Sequence, residues 1–242
     1  FGTEGLMISA KFTPFGKYKP GQVRRSLQKD LDDFHRDSVD TYWLHLPNDI
    51  EQNLAEMICL YHEGKIRHIG VSNFDLEECR QAKHILDRAG IPLYGVQNHY
   101  SLINREWEEN GVVAWCLENN VRFWAWAVLE EGMLVDPRVK TGGSIMKVLF
   151  NRKKRKLFPL YVRMNQIGKV HHLTIPQVAI SYCSSKGIVP ICGCRRPQQV
   201  RELRQAVDTV LTADEMQSLK KMADQLSVHI LGSDLFRFAV RK

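Results

Sequence analysis

The chain has no uninterrupted apolar run of the roughly 18 residues that a membrane-spanning helix requires, so no membrane partner is expected. Its first residues lack the basic-then-apolar pattern of a secretory leader, and a cytoplasmic location is expected. No C-x-x-C pair occurs among the six cysteines, Cys59, Cys79, Cys116, Cys183, Cys192 and Cys194, so neither zinc nor an iron–sulfur cluster is predicted and no metal site is assigned. One residue between Cys192 and Cys194 leaves too little chain for an unstrained disulfide, and reduced thiols fit best. Charge of one sign is also not strongly concentrated: 34 Lys and Arg against 27 Asp and Glu give a net +7. The densest run, Arg152-Lys153-Lys154-Arg155-Lys156, has no alternating aromatics for base stacking. It reads as a solvated loop or helix start, with an anion or partner patch as the other choice, and no nucleic-acid partner is expected. A mildly basic globule suits a small anionic ligand.

What is present is an ordinary globular composition. With 242 residues, 44% of them hydrophobic and 25% charged, the chain reads as one domain over 1–242 with a sizeable core. Strand and helix patterns alternate. Strands are predicted over 6–12, 41–46, 66–71, 94–98, 121–128 and 188–192. The spacing predicts a helix over 21–34 that buries Val23, Leu27, Leu31 and Phe34, and another over 50–63 that buries Leu54, Met57, Ile58 and Tyr61. Further helices are predicted over 76–89, 112–118, 160–171 and 176–185, then from Pro197, and from Thr212 with a capping box to Glu215. Residues 130–159 read as one long loop, with Gly132, Gly142 and Gly143 as hinges or plain turns. Strands joined through helices are expected to lie parallel.

Polar groups collect where these strands end. Lys11 closes Leu6-Met7-Ile8-Ser9-Ala10-Lys11, and His45 closes Asp40-Thr41-Tyr42-Trp43-Leu44-His45. Ser72-Asn73 and Gln97-Asn98-His99 stand at the next two strand ends. Four polar constellations at four consecutive strand ends is how a parallel barrel builds a site.

Six segments in this order carry a resemblance. They are Ile8-Ser9-Ala10-Lys11; Asp40 to Pro47; Gly64-Lys65-Ile66-Arg67-His68-Ile69-Gly70-Val71-Ser72-Asn73-Phe74; Val96-Gln97-Asn98-His99-Tyr100-Ser101; Ala125-Trp126-Ala127-Val128-Leu129-Glu130-Glu131-Gly132; and Ile188 to Arg196. Together they resemble the aldo-keto reductase superfamily over essentially the whole chain. The resemblance implies a (β/α)8 TIM-barrel type fold, with about six of the eight strand–helix units present and the first two missing. It also implies NAD(P)H-dependent reduction of carbonyls by a Tyr, Lys, His and Asp set. Lys11 and His45 match the Lys and His, and the Tyr and Asp are expected upstream of residue 1, so this form can be inactive.

By that resemblance Lys11 lowers the pKa of the proton-donating tyrosine, and His45 orients the carbonyl or relays the proton. The bland alternatives are a solvent-facing lysine and a satisfied core histidine. Ser72, Asn73 and Gln97 match the family's nicotinamide-carboxamide binders, with strand-end capping as the structural alternative for Ser72 and Asn73. Trp126 takes the place of the aromatic that stacks on the nicotinamide, or else packs beside Trp124. Gly193-Cys194-Arg195-Arg196-Pro197 leads into a helix, where Gly193 lets a phosphate approach and the free N–H groups of the helix start can hold it. Arg195 and Arg196 can pair with a 2′-phosphate, favouring NADPH over a possible NADH, or remain solvated. Gln199 and Glu202 approach the adenosine end by family position, while Leu203 stands where many members carry an Asn. Trp43, Trp107, His99 and Tyr100 remain unassigned candidates for pocket lining. The expected partner is a small carbonyl compound, with self-association if the barrel is truly incomplete. The other function class left open is a non-catalytic NAD(P)H-binding protein, a redox sensor or regulatory subunit.

Overall fold

The computed structural model describes residues 5–135 and 154–226. Six parallel strands alternate with helices along the chain in an α/β architecture. The chain divides into two compact units, one holding residues up to Asn98 and Trp107–Phe123, the other His99–Glu106 and the described residues from Trp124 onward.

The first unit runs β1 (Ser9–Phe12), α1 (Gln22–Phe34), β2 (Val39–Leu44), α2 (Ile50–His62), β3 (Ile66–Ser72), α3 (Leu76–Arg88) and β4 (Leu93–His99, whose last residue belongs to the second unit). The short α4 (Glu106–Glu109) and α5 (Val112–Glu118) complete it. The first four strands lie side by side in chain order, all parallel. Every residue of β2 and β4 is buried or half-buried, the near-continuous burial of parallel strands covered on both faces. The register sets Lys11 opposite Trp43 and Ser72 opposite Gln97, so successive strand ends finish close together.

Helix α1 buries Val23, Leu27 and Leu31 along one stripe, as their spacing predicts, while Phe34 at its end is half-buried. In α2 the buried stripe is Ile50, Asn53, Leu54, Met57 and Leu60. Ile58 and Tyr61, expected in the core, are half-buried, because a stripe anchored on Ile50 leaves both on its flanks. Buried Asn53 is satisfied: its Nδ2 donates to the Asn48 carbonyl at 2.8 Å and its Oδ1 accepts from Gln22 Nε2 at 2.7 Å. Gly70 is required in β3, since a Cβ there would lie 2.4 Å from Cε3 of the Trp43 ring. That indole is itself fixed, its Nε1 donating to Ser9 Oγ at 2.7 Å.

The second unit takes up β5 (Arg122–Trp126) from Trp124, then α6 (Phe158–His171), α7 (Ile175–Ser184), β6 (Val189–Pro190), α8 (Pro197–Asp208) and α9 (Ala213–Asp224). Here β5 and β6 pair in parallel, Trp124 with Val189 and Ala125 with Pro190. The capping box at Thr212 forms, Glu215 N–H donating to Thr212 Oγ1 at 3.3 Å and Thr212 N–H to Glu215 Oε2 at 2.9 Å.

Several boundaries differ from those predicted. Strand β1 starts at Ser9 because Leu6 and Met7 are exposed and the Ile8 N–H donates to Asp40 Oδ2 at 2.7 Å. Strand β5 stops at Trp126, where Ala127 turns left-handed at φ 59°. Strand β6 is two residues long, since Pro190 has no N–H to continue a ladder. The predicted loop 130–159 ends early: Phe158 opens α6 with Pro159 in the first turn, where a missing N–H costs nothing. Lys154–Lys156 is helical and Lys154 is buried, so this part of the basic run is a helix start. Pro137, Gly142, Gly143, Arg152 and Lys153 lie outside the described residues. Among the described residues no helix is long and apolar enough to cross a membrane.

Candidate active site

In the first unit, β1, β2, β3 and β4 deliver Lys11, His45, Ser72, Asn73 and Gln97 to one end of the sheet, and hydrogen bonds tie them together. The Lys11 ammonium donates to Gln97 Oε1. Burial lowers its pKa from 10.5 to about 8. His45 follows β2, its N–H donating to the Phe12 carbonyl at 2.9 Å. Burial, with the positive charge of Lys11 second, takes the imidazole from 6.5 down to about 4, so it is neutral at pH 7. Thr13 Oγ1 lies 2.8 Å from His45 Nδ1.

Ser72 and Asn73 brace this group. Ser72 Oγ donates to the Gln97 carbonyl at 2.7 Å, and the Asn73 N–H reaches the same oxygen at 3.2 Å. Asn73 sits in the left-handed region at φ 62°, which asparagine tolerates better than most residues. That turn sends Nδ2 to the His45 carbonyl at 3.0 Å and to Ser72 Oγ at 3.2 Å. The strand-end capping alternative for Ser72 and Asn73 is therefore realised. It does not exhaust them, because a hydroxyl oxygen has two lone pairs and an amide has both donor and acceptor ends.

In the second unit Trp126 is half-buried and stacks on His99, ring centroids 4.5 Å apart and planes 20° from parallel. Gly193, Arg195 and Arg196 are exposed on the turn from β6 into α8. A Cβ built on Gly193 would meet nothing within 4 Å, so the protein itself does not require glycine there. Gln199 is engaged locally: its Oε1 accepts from the N–H groups of Arg195 at 2.7 Å and Arg196 at 3.0 Å. Those two N–H groups, which precede the first helical residue Pro197, are thus already partnered. Glu202 accepts from Gln198 Nε2 at 3.1 Å and lines a cavity of about 690 Å³ with Tyr161, Asn165, Thr174 and Pro176. Burial pushes the Cys192 thiol up to about 11, so it is no nucleophile.

Residues 2–224 match the Aldo/keto reductase family. The chain belongs to that family. It is 27% identical over 231 residues to a chloroplastic pyridoxal reductase of Arabidopsis thaliana, covering 91% of this chain and 63% of that protein. It is 26% identical to an NADH-specific methylglyoxal reductase of Escherichia coli, covering 86% of this chain and 66% of that protein. The chain thus spans just under two thirds of the length of these relatives. Among solved structures, a thermostable aldo-keto reductase bound to the inhibitor epalrestat matches with a TM-score of 0.70 and 28% identity, covering 92% of this chain and 73% of that one. An aldo/keto reductase from Klebsiella pneumoniae, in complex with NADP and acetate, shares the fold with a TM-score of 0.69 and 23% identity, covering 91% and 72%. The six strand–helix units are accordingly of the (β/α)8-barrel type.

For a member of this family, the structure adds two groups, Thr13 and Glu130, to those read from the sequence and a second contact for Gln97. Thr13 fixes one His45 nitrogen; its only signal is a hydroxyl two residues beyond Lys11, on the same side of an extended chain. Gln97, expected on the nicotinamide carboxamide, also supplies the neutral partner of Lys11. Glu130 binds His99 and carries no sequence signal of its own.

Proposed function

We propose that this aldo/keto reductase reduces small aldehydes or ketones to alcohols with hydride from NADPH, NADH serving less well. The observation that carries the proposal is a desolvated ammonium, Lys11, beside a neutral imidazole, His45, at the ends of two adjacent parallel strands. A reduced nicotinamide, when bound, supplies the hydride. The protein must then stabilise the oxygen that gains charge and deliver a proton to it. Lys11 supplies positive charge from a half-buried position, where it acts more strongly than in bulk water. With its pKa near neutrality, Nζ holds its proton at pH 7 and lowers the pKa of the hydroxyl that the resemblance assigns as donor. When the Thr13 hydroxyl donates to Nδ1 of His45, Nε2 carries the hydrogen and can donate to a carbonyl oxygen.

The other groups fit the cofactor's parts. Ser72, Asn73 and the NH2 of Gln97 offer the donors and acceptors that a carboxamide needs. Trp126 offers a large ring face. Arg195 and Arg196 supply exposed guanidinium groups for a 2′-phosphate. Because Gln199 takes the Arg195 and Arg196 N–H groups, phosphate recognition at these two residues falls to their side chains. Gly193 leaves open space above its Cα, and Glu202 on the cavity rim suits a ribose hydroxyl at the adenosine end. Small aldehydes are the substrate class, since two relatives are named for pyridoxal and methylglyoxal, both aldehydes. A cytoplasmic setting is part of the proposal and accords with six free thiols.

The test follows NADPH oxidation by the purified chain with a panel of small aldehydes that includes these two. Turnover above the blank is expected once the polypeptide also carries the donor tyrosine, falling about 100-fold in Lys11→Met and substantially in His45→Ala. Binding of NADPH without any turnover in that longer polypeptide would reject the enzymatic proposal and leave the non-catalytic one. Unchanged rates in both variants would remove Lys11 and His45 from the chemistry.

A further inference from the structure

The second unit buries a hydrogen-bonded histidine–glutamate pair that the proposed chemistry does not use. His99, the last residue of β4, is 1% exposed, and Glu130, which opens a 3-10 turn over Glu130–Gly132, is 3% exposed. His99 Nε2 lies 3.0 and 3.1 Å from the two Glu130 carboxylate oxygens. The Ser101 hydroxyl donates to the same carboxylate, and Asn104 Nδ2 lies 3.3 Å from His99 Nδ1. The Asn104 amide orientation is supported at its other end, where Oδ1 accepts from the Glu106 N–H at 3.5 Å. Nδ1 is then an acceptor, and Nε2–H donates to the carboxylate.

Polar groups of this kind are costly to bury unless they are hydrogen-bonded to one another, as here. The backbone has a cost of its own. Ala127, Glu130 and Glu131 all lie in the left-handed region, at φ 59°, 47° and 52°. Non-glycine residues persist there only where their surroundings over-determine them, and such strain collects at functional sites. The over-determination here is visible: Glu130 is tied through its side chain to two residues of the β4 exit, and the Tyr100 N–H donates to the Trp126 carbonyl at 3.2 Å. What all of this holds still is a plane. The imidazole is locked at both nitrogens, and its face lies on the Trp126 indole.

We propose that His99 and Glu130 are positioning residues for Trp126, fixing the plane on which the pyridine ring of the cofactor stacks, with Glu130 acting through the imidazole. This rests on Trp126 being the stacking side chain. A hydrogen-bonded imidazole differs from a phenyl ring in that role because it cannot rotate without breaking bonds at both nitrogens. Ser101 in turn keeps the carboxylate from following the ring.

The test measures dissociation constants for NADPH, and for adenosine bisphosphate that lacks the pyridine ring, by tryptophan fluorescence with Trp126→Phe as the reference spectrum. The expected result for His99→Ala is a roughly tenfold weaker NADPH complex, the scale of one aromatic pair, with adenosine bisphosphate unaffected. Glu130→Gln, which keeps shape and one acceptor, should fall between that variant and the unaltered chain. His99→Phe should pack normally but recover NADPH affinity only in part. In a Trp126→Ala background, His99→Ala should add nothing. If Trp126→Ala weakens NADPH binding while His99→Ala and Glu130→Gln do not, the positioning role is wrong and the stacking role stands. Unchanged NADPH binding in Trp126→Ala would refute the stacking role itself. Equal weakening of both ligands in His99→Ala and Glu130→Gln would mark His99 and Glu130 as merely structural.

Discussion

The two units hold their candidate functional groups in opposite ways. In the first, Lys11, His45, Ser72, Asn73 and Gln97 sit at the ends of four registered parallel strands and bond to one another. In the second, Gly193, Arg195 and Arg196 lie exposed on a turn after a two-residue strand. A group that stabilises charge at one atom must be held to a fraction of an ångström and kept dry. A guanidinium that grips a phosphate works at the surface and tolerates play in its approach. Under the proposed function, the first unit thus supplies stiffly held groups for chemistry and the second exposed groups for the cofactor's charged tail. Trp126 is the exception in the second unit: its ring rests on His99, a buried and doubly hydrogen-bonded imidazole.

The sharpest way to break this contrast is to cross the two sites. Lys11→Met should lower kcat for aldehyde reduction about 100-fold and leave the NADPH dissociation constant unchanged. Arg195→Ala combined with Arg196→Ala should leave kcat nearly unchanged and weaken NADPH about 10-fold to 100-fold, two charge-assisted contacts being lost. NADH binding should barely move in that double variant. A loss of kcat from the arginine variant, or of NADPH affinity from the lysine variant, would show that the two units do not divide the work.

A smaller effect should appear in acid. His45 has a folded-state pKa of about 4 against an ordinary 6.5. As pH falls through 6.5 the unfolded chain takes up this proton while the folded chain resists it, so stability drops between 6.5 and 4 and levels below. Denaturant midpoints measured across that range should fall more steeply for the unaltered chain than for His45→Gln. Parallel curves would mean that the imidazole is as well solvated as in a peptide.

Much of the first unit was legible because its signals are local. The stripe Val23, Leu27, Leu31 and the apolar runs of β2 and β3 follow from periodicity, and Lys11 and His45 stand out as polar residues that close apolar strands. What local signals cannot carry is pairing across the chain. Lys11 meets Gln97 across 86 residues, Thr13 meets His45 across 32, and Glu130 meets His99 across 31. Each pair needs the strand register to bring it together. The misplaced core of α2 has a milder cause: Ile50 opens the buried stripe, and a period counted from Leu54 alone rotates it toward Ile58 and Tyr61. The end of the predicted loop at Phe158 was hidden by Pro159, which reads as a breaker in mid-chain but is at home in a first helical turn.

The central claim is that the strand-end lysine is half-buried beside a neutral amide, so that desolvation lowers its pKa, and its own titration tests that most directly. The Lys11 pKa can be measured by NMR on the isotopically labelled chain, with Lys11→Met identifying the resonance. The account predicts a value of about 8 in the folded protein. A value near the 10.5 of a free lysine would place the ammonium in solvent and contradict it.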